Sequence, residues 1–199
     1  MKNILISVAL GGLALASVLP ALASDEALYG AAVPEDAVFV RWLDEHPAET
    51  RHAFGFEFKA ESIDGIAYTA ISNGRLKGAQ VGGHYSVVAD ENGIEQVIKE
   101  PKRDAGSKVL LLLLNSTAKP IRLVIEGTSN EVISTTLQGQ VHARAVNPVN
   151  VDLSVLAEES ADPISNHSLN LRRGQNVTIA AIGETVRIIE NRFGPVVAE

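Results

Sequence analysis

Cysteine is absent from the 199-residue chain, so no disulfide framework holds the fold and its stability rests on hydrophobic cores alone. Aromatic residues make up only 5% of the sequence, with a single tryptophan. Sugar-binding modules usually present exposed rings to the CH faces of a pyranose, and few rings are on hand for that purpose. Trp42 shares a strand face with Val38 and Val40, which places it in a core. Phe54, Phe56 and Phe58 alternate with Gly55, Glu57 and Lys59, which puts three rings on one strand face. After the first two dozen residues the one dense apolar run, Val109 to Leu114, is far too short to cross a bilayer as a helix.

Motifs of chemistry are missing too. No Gly-x-Ser-x-Gly elbow occurs, and Gly82-Gly83 does not fit a phosphate-cradling loop. The nearest approach to a nucleophile beside a base is Ser165-Asn166-His167-Ser168, at the expected start of a strand and without the strand–turn–helix scaffold that exposes a reactive serine. His46, His52, His84, His142 and His167 are too scattered to form a metal set. The sequence predicts no catalytic residue, no metal and no cofactor.

What is present begins with a leader. Lys2 precedes an apolar stretch from Ile4 to Leu19, Pro20 breaks it, and Ala21-Leu22-Ala23 is a small-x-small cleavage site. Residues 1–23 are therefore expected to be removed on export. No cysteine stands at the junction to carry a lipid. From Ser24 to Glu100 the chain holds 14 acids against 6 bases, net −8, whereas from Pro101 to Glu199 there are 10 of each. An acidic half repels polyanions over about 8 Å at physiological salt. Nucleic acid is thus a poor partner, and a basic protein surface is a better one.

Strand signals fill both halves. Asp64-Gly65, Asn73-Gly74 and Asn92-Gly93 suit two-residue hairpin turns. They separate strand-like runs at Ala37–Leu43, Ile66–Ile71, Tyr85–Ala89 and Ile94–Lys99. The second half offers Val109–Leu114, continuous enough for a strand buried on both faces. Then come Ile121–Ile125, Glu131–Leu137, Val149–Leu156, Ser168–Leu171, Asn176–Ile182 and Thr185–Ile189. Glu100 to Ser107, with its proline, charges and glycine, reads as a linker. The expected fold is all-β: two small antiparallel β-sandwich domains, residues 24–100 and 108–199, joined by a linker at 101–107. Basic residues suited to an acidic polysaccharide are Lys102 and Arg103 near the linker and Arg172 and Arg173 near a strand end.

Four phrases carry more specific information: Glu26-Ala27-Leu28-Tyr29-Gly30; Pro34-Glu35-Asp36-Ala37-Val38-Phe39-Val40-Arg41; Gly83-His84-Tyr85-Ser86-Val87-Val88; and Arg144-Ala145-Val146-Asn147-Pro148-Val149. Together they resemble the AlgF family of alginate biosynthesis. The resemblance implies a periplasmic, non-enzymatic accessory factor for O-acetylation of the exopolysaccharide, built as a pair of β-sandwiches. Its partners would be the periplasmic and membrane-associated O-acetyltransferases of the alginate pathway, docked through Leu28, Tyr29 and Arg41. The alternative is a polysaccharide-binding module that grips alginate or a related acidic polymer with the basic surface of the second half. The chain departs from the family pattern at Ala31, where proline commonly follows Leu-Tyr-Gly, at the Pro34-Glu35-Asp36 turn, and at His84.

Overall fold

The computed structural model describes residues 32–43, 50–59, 63, 66–89, 95–103 and 106–197. The leader, Leu28, Tyr29, His46, Asp64-Gly65 and Asn92-Gly93 lie outside the described residues. The fold is all-β, as the sequence predicts, and comprises two β domains. Among the described residues, fifteen strands are joined by turns and one short 3-10 segment, Asn73–Arg75. Among the described residues no helix is long and apolar enough to cross a membrane.

The first half supplies β1 (Ala37–Trp42), β2 (Thr50–Ala53), β3 (Phe56–Lys59), β4 (Tyr68–Ser72), β5 (His84–Ala89) and β6 (Glu95–Lys99). In the second half are β7 (Val109–Asn115), β8 (Ile121–Ile125), β9 (Glu131–Thr136), β10 (Gln140–Val146), β11 (Asn150–Ala157), β12 (Pro163–Asn170), β13 (Asn176–Ile182), β14 (Thr185–Glu190) and β15 (Phe193–Val197). The sheets run β15-β4-β1-β5-β6, β10-β7-β13-β14 and β12-β11-β8-β9, with β2 and β3 forming a ribbon of their own. Most ladders are antiparallel; β1–β5, β7–β13 and β4–β15 are parallel. The last strand lies beside β4, so the first sheet takes strands from both ends of the described chain.

Alternation along β1 decides how the layers stack. Val38, Val40 and Trp42 face one side, where Ala53 and Phe58 of the ribbon and Tyr85 and Val87 of β5 close a core around them. Phe39, Arg41 and Leu43 face the other side. β7 is buried along its whole length, as its unbroken apolar run predicts. Val109, Leu111 and Leu113 pack on Leu123, Ile133, Leu153 and Val155 inside the second sandwich. Leu110, Leu112 and Leu114 pack on Leu43, Val88 and Ile98 of the first half. One strand thus anchors two cores.

Three local expectations need correction. Phe54, Phe56 and Phe58 do not share one strand, because Phe54 and Gly55 form the turn between β2 and β3 with φ of 55° and 75°. Phe54 holds this left-handed conformation, rare for a bulky side chain, while its ring sits edge-on to Tyr85 at 4.8 Å. Asn73-Gly74 opens no hairpin: β4 pairs with β1 and β15, not with β5. The strand expected at Ser168–Leu171 begins five residues earlier, at Pro163.

Candidate functional site

Period-two geometry sends Arg41 away from the first core and toward the second half, and there it is wholly buried, 0% exposed. Every arm of its guanidinium is occupied. Nε donates to Ser86 Oγ at 2.8 Å, Nη1 to Asn191 Oδ1 at 2.5 Å, and Nη2 to Glu100 Oε1 and Thr178 Oγ1, each at 2.8 Å. Ser86 Oγ in turn donates to Glu100 at 2.6 Å, and Thr178 Oγ1 to Asn191 Oδ1 at 2.9 Å. A buried charge survives only when paired and hydrogen-bonded, and this one is both.

Glu100 is the counter-charge. It directly follows β6 and is 4% exposed, although its sequence context, just before Pro101, reads as linker. Tyr68 donates to its carboxylate at 2.7 Å, and Arg103 pairs with it at 3.0 Å. Arg103 also donates to the Tyr68 hydroxyl. The Tyr68 ring lies between the two guanidiniums, with Arg41 Cζ 4.5 Å and Arg103 Cζ 4.4 Å from its centroid. Burial pushes the Glu100 carboxyl up, but Arg41, Arg103 and the Ser86 and Tyr68 hydroxyls outweigh it and hold it below the usual carboxylate range. Burial and the adjacent Glu100 charge push the Tyr68 phenol far above its ordinary value.

Beside this network an aromatic group closes over one face. His84 stacks on Phe39 at 4.8 Å and meets Tyr68 edge-on at 5.3 Å, and Phe193 of β15 packs edge-on against Phe39 at 5.1 Å. Burial and the nearby Arg103 charge lower the His84 imidazole to about 4, so the ring is neutral at physiological pH.

Next to His84 a cleft of about 620 Å³ opens between the 80–84 segment and residues 99–103. Gly83 forms part of its wall because nothing larger fits. A Cβ there would stand 2.7 Å from the Gln80 carbonyl oxygen and 2.8 Å from the Tyr85 ring. The segment is fixed by Gly82 N to Ala37 O at 2.7 Å and Phe39 N to Gly83 O at 2.9 Å. Gly83→Ala is therefore expected to displace it and lower stability by about 1–2 kcal/mol, a change that equilibrium urea denaturation would resolve.

The structure sorts the site residues expected from sequence. Arg41 has no exposed surface for a docking role, since its donors are all used inside the molecule. Lys102 and Arg103 meet in the cleft, joined by Lys99. Arg172 and Arg173 stand exposed on the turn between β12 and β13, a turn tied to Lys108 by Gly174 N to Lys108 O at 3.2 Å. Ser165 and His167 do share a face of β12, with Oγ 2.9 Å from Nε2. Among the described residues, no carboxylate is hydrogen-bonded to that imidazole. Nor do His, Cys, Asp and Glu side chains converge on any metal-sized group among the described residues. Sequence reasoning missed Tyr68, Ser86, Thr178 and Asn191, whose hydroxyl and amide groups acquire meaning only where three strands and a loop converge.

Comparison with known proteins adds relatives. No protein-family model matches the chain. It is 29% identical over 157 residues to the alginate biosynthesis protein AlgF of Pseudomonas syringae pv. tomato, covering 72% of this chain and 70% of that protein. The chain is similar to AlgF over most of its length. Identity to the Pseudomonas putida AlgF is 26% over 156 residues, covering 72% of this chain and 73% of the relative. A solved structure of the C-terminal domain of AlgF from P. aeruginosa aligns with 42% of this chain and 96% of its own length, at 18% identity and a TM-score of 0.35. Three of the four phrases that carry the AlgF resemblance fall on described residues, and each supplies a side chain that holds the fold. One delivers Arg41 to the network, another delivers Ser86 and His84. The third places Arg144, whose Nη1 donates to the Glu131 and Val132 carbonyls at 3.0 and 2.9 Å and straps β10 to β9.

Proposed function

We infer that this protein is a non-catalytic accessory factor of alginate biosynthesis, required for O-acetylation of the exopolysaccharide during its synthesis and export. It would act in the periplasm after loss of residues 1–23. Its domains, 24–100 and 108–199 about the 101–107 segment, would dock the pathway's O-acetyltransferases. The relationship to AlgF over 157 residues carries this reading. The disposition of the chemistry-bearing groups supports it. Arg41, Ser86 and Glu100 form the centre of a constellation of charged and hydroxyl groups, and all three are buried. Their hydrogen bonds run to one another and to the scaffold.

Calorimetric titration of the mature protein against the acetyltransferase components of its own host tests the reading. Heat of binding to at least one component is expected, with no hydrolysis of model acetyl esters by the protein alone. Absence of binding to every component, or ester turnover abolished by Ser165→Ala or His167→Ala, would overturn it.

One observation favours a second reading as a polysaccharide-binding module. Arg172 and Arg173 are adjacent and exposed, and Arg can grip a uronate carboxylate with two hydrogen bonds. Salt-sensitive binding to alginate, lost in the Arg172→Ala/Arg173→Ala variant, is its signature.

A further inference from the structure

The cleft beside His84 is lined by basic side chains. It lies at the end of the half that carries net −8, yet Lys99, Lys102 and Arg103 all line it. Lys99 and Lys102 are exposed, and Gln80 Oε1 holds the Lys99 ammonium at 2.6 Å. Among the described residues Glu100 is the one carboxylate lining the cleft, and Arg41 and Arg103 already neutralise it at 2.8 and 3.0 Å. The cleft therefore has a surplus of positive charge. Two buried nitrogens beside it, His84 Nε2 and Arg103 Nε, have no hydrogen-bond partner. Val81, 57% exposed, stands at its edge, and Phe193, 62% exposed, packs beyond His84 with ring centroids 6.0 Å apart.

We propose that this cleft docks a short acidic segment of a partner protein, its carboxylates meeting Lys99, Lys102 and Arg103 and a neighbouring apolar side chain covering Val81. The inference rests on the adaptor reading and locates its contact. One observation favours a protein segment over an acidic polysaccharide. Among the described residues, no phenylalanine, tyrosine or tryptophan lines the cleft, so a pyranose finds no ring to stack on.

The test compares the mature protein with Lys99→Glu/Lys102→Glu and, as a control, Arg172→Glu/Arg173→Glu, each titrated with the host acetyltransferase components. Thermal melts first establish that all three are folded. The cleft variant is expected to bind about tenfold or more weaker, with the control within about twofold of the parent and the parent's affinity falling as salt rises. Equal binding by the cleft variant would overturn the cleft assignment while leaving the adaptor reading intact. No binding by the parent would remove both. Displacement of the bound component by alginate oligomers from the parent but not from the cleft variant would reassign the cleft to polymer and likewise overturn the proposal.

Discussion

Arg41→Met is expected to destabilise the protein by about 3–5 kcal/mol, because it removes one partner of a buried ion pair and strands the rest. Methionine matches the aliphatic stem but not the guanidinium. Glu100 Oε1, Ser86 Oγ, Thr178 Oγ1 and Asn191 Oδ1 each lose a donor in a region closed to water. A second substitution distinguishes this account from a simple packing loss. Glu100→Leu in the Arg41→Met background is expected to add much less than it costs alone, since the Arg41–Glu100 pair is already broken there. Additive losses in that double-mutant cycle would refute the coupling. The partners of Arg41 also span both halves of the chain: Ser86 and Glu100 lie in the first, Thr178 and Asn191 in the second. Calorimetric unfolding of the variant is accordingly expected to lose cooperativity and broaden or split.

Acid is expected to unfold the protein in two stages, the first set by His84. Its folded imidazole titrates at about 4 against an ordinary 6.5, so between these values the unfolded chain binds a proton that the folded chain does not. Stability tied to neutral His84 is fully present above 6.5 and declines as pH falls toward 4. That gap corresponds to about 3 kcal/mol, and about 2 kcal/mol is the better expectation because solvent reaches part of the ring. Arg103, Arg41 and Glu100 are the charged groups facing the imidazole. Glu100 governs the second stage. Its carboxyl is held low in the folded protein, so its contribution is present above its ordinary value of 4.5 and is lost as pH falls through the depressed one. Urea midpoints measured from pH 7.5 to 3.5 test both stages. His84→Phe, which keeps the stack on Phe39, is expected to flatten the profile between 6.5 and 4 and leave the steeper fall below it. An unchanged profile in that variant would remove His84 as the cause.

Strands with strong local signals were legible. The apolar run Val109–Leu114 announced a strand covered on both faces, and period-two alternation placed Trp42 in a core. Weak signals were lost. β10 (Gln140–Val146) does alternate, but the residues it packs into the core beside β7 are Val141 and Ala143, too small to stand out from a loop. β15 (Phe193–Val197) contains Gly194 and Pro195, which argue against a strand unless it sits at a sheet edge, as it does here. The Phe54–Gly55 turn lacked the usual Asn or Asp, and a bulky residue at positive φ gives no local warning. The candidate site was half visible. Lys102 and Arg103 were identified by charge alone, whereas the Arg41 network required knowing which strand faces converge. A charged residue on an apolar strand signals either a surface or a deeply paired interior, and period alone does not choose between them.

The placement of β15 has a consequence in time. The sheet that contains β1 and β4 has its outer edge occupied by residues 193–197, so one side of its hydrogen-bond ladder stays open until those residues are available. Asn191, a ligand of Arg41, arrives equally late. A chain emerging from its N-terminus can collapse its first half early but cannot seal it, which exposes an unpaired strand edge for the duration of synthesis. Folding of this sheet is completed by β15 rather than by the first half alone, and a holdase that covers β4 during that interval would have a defined moment of release.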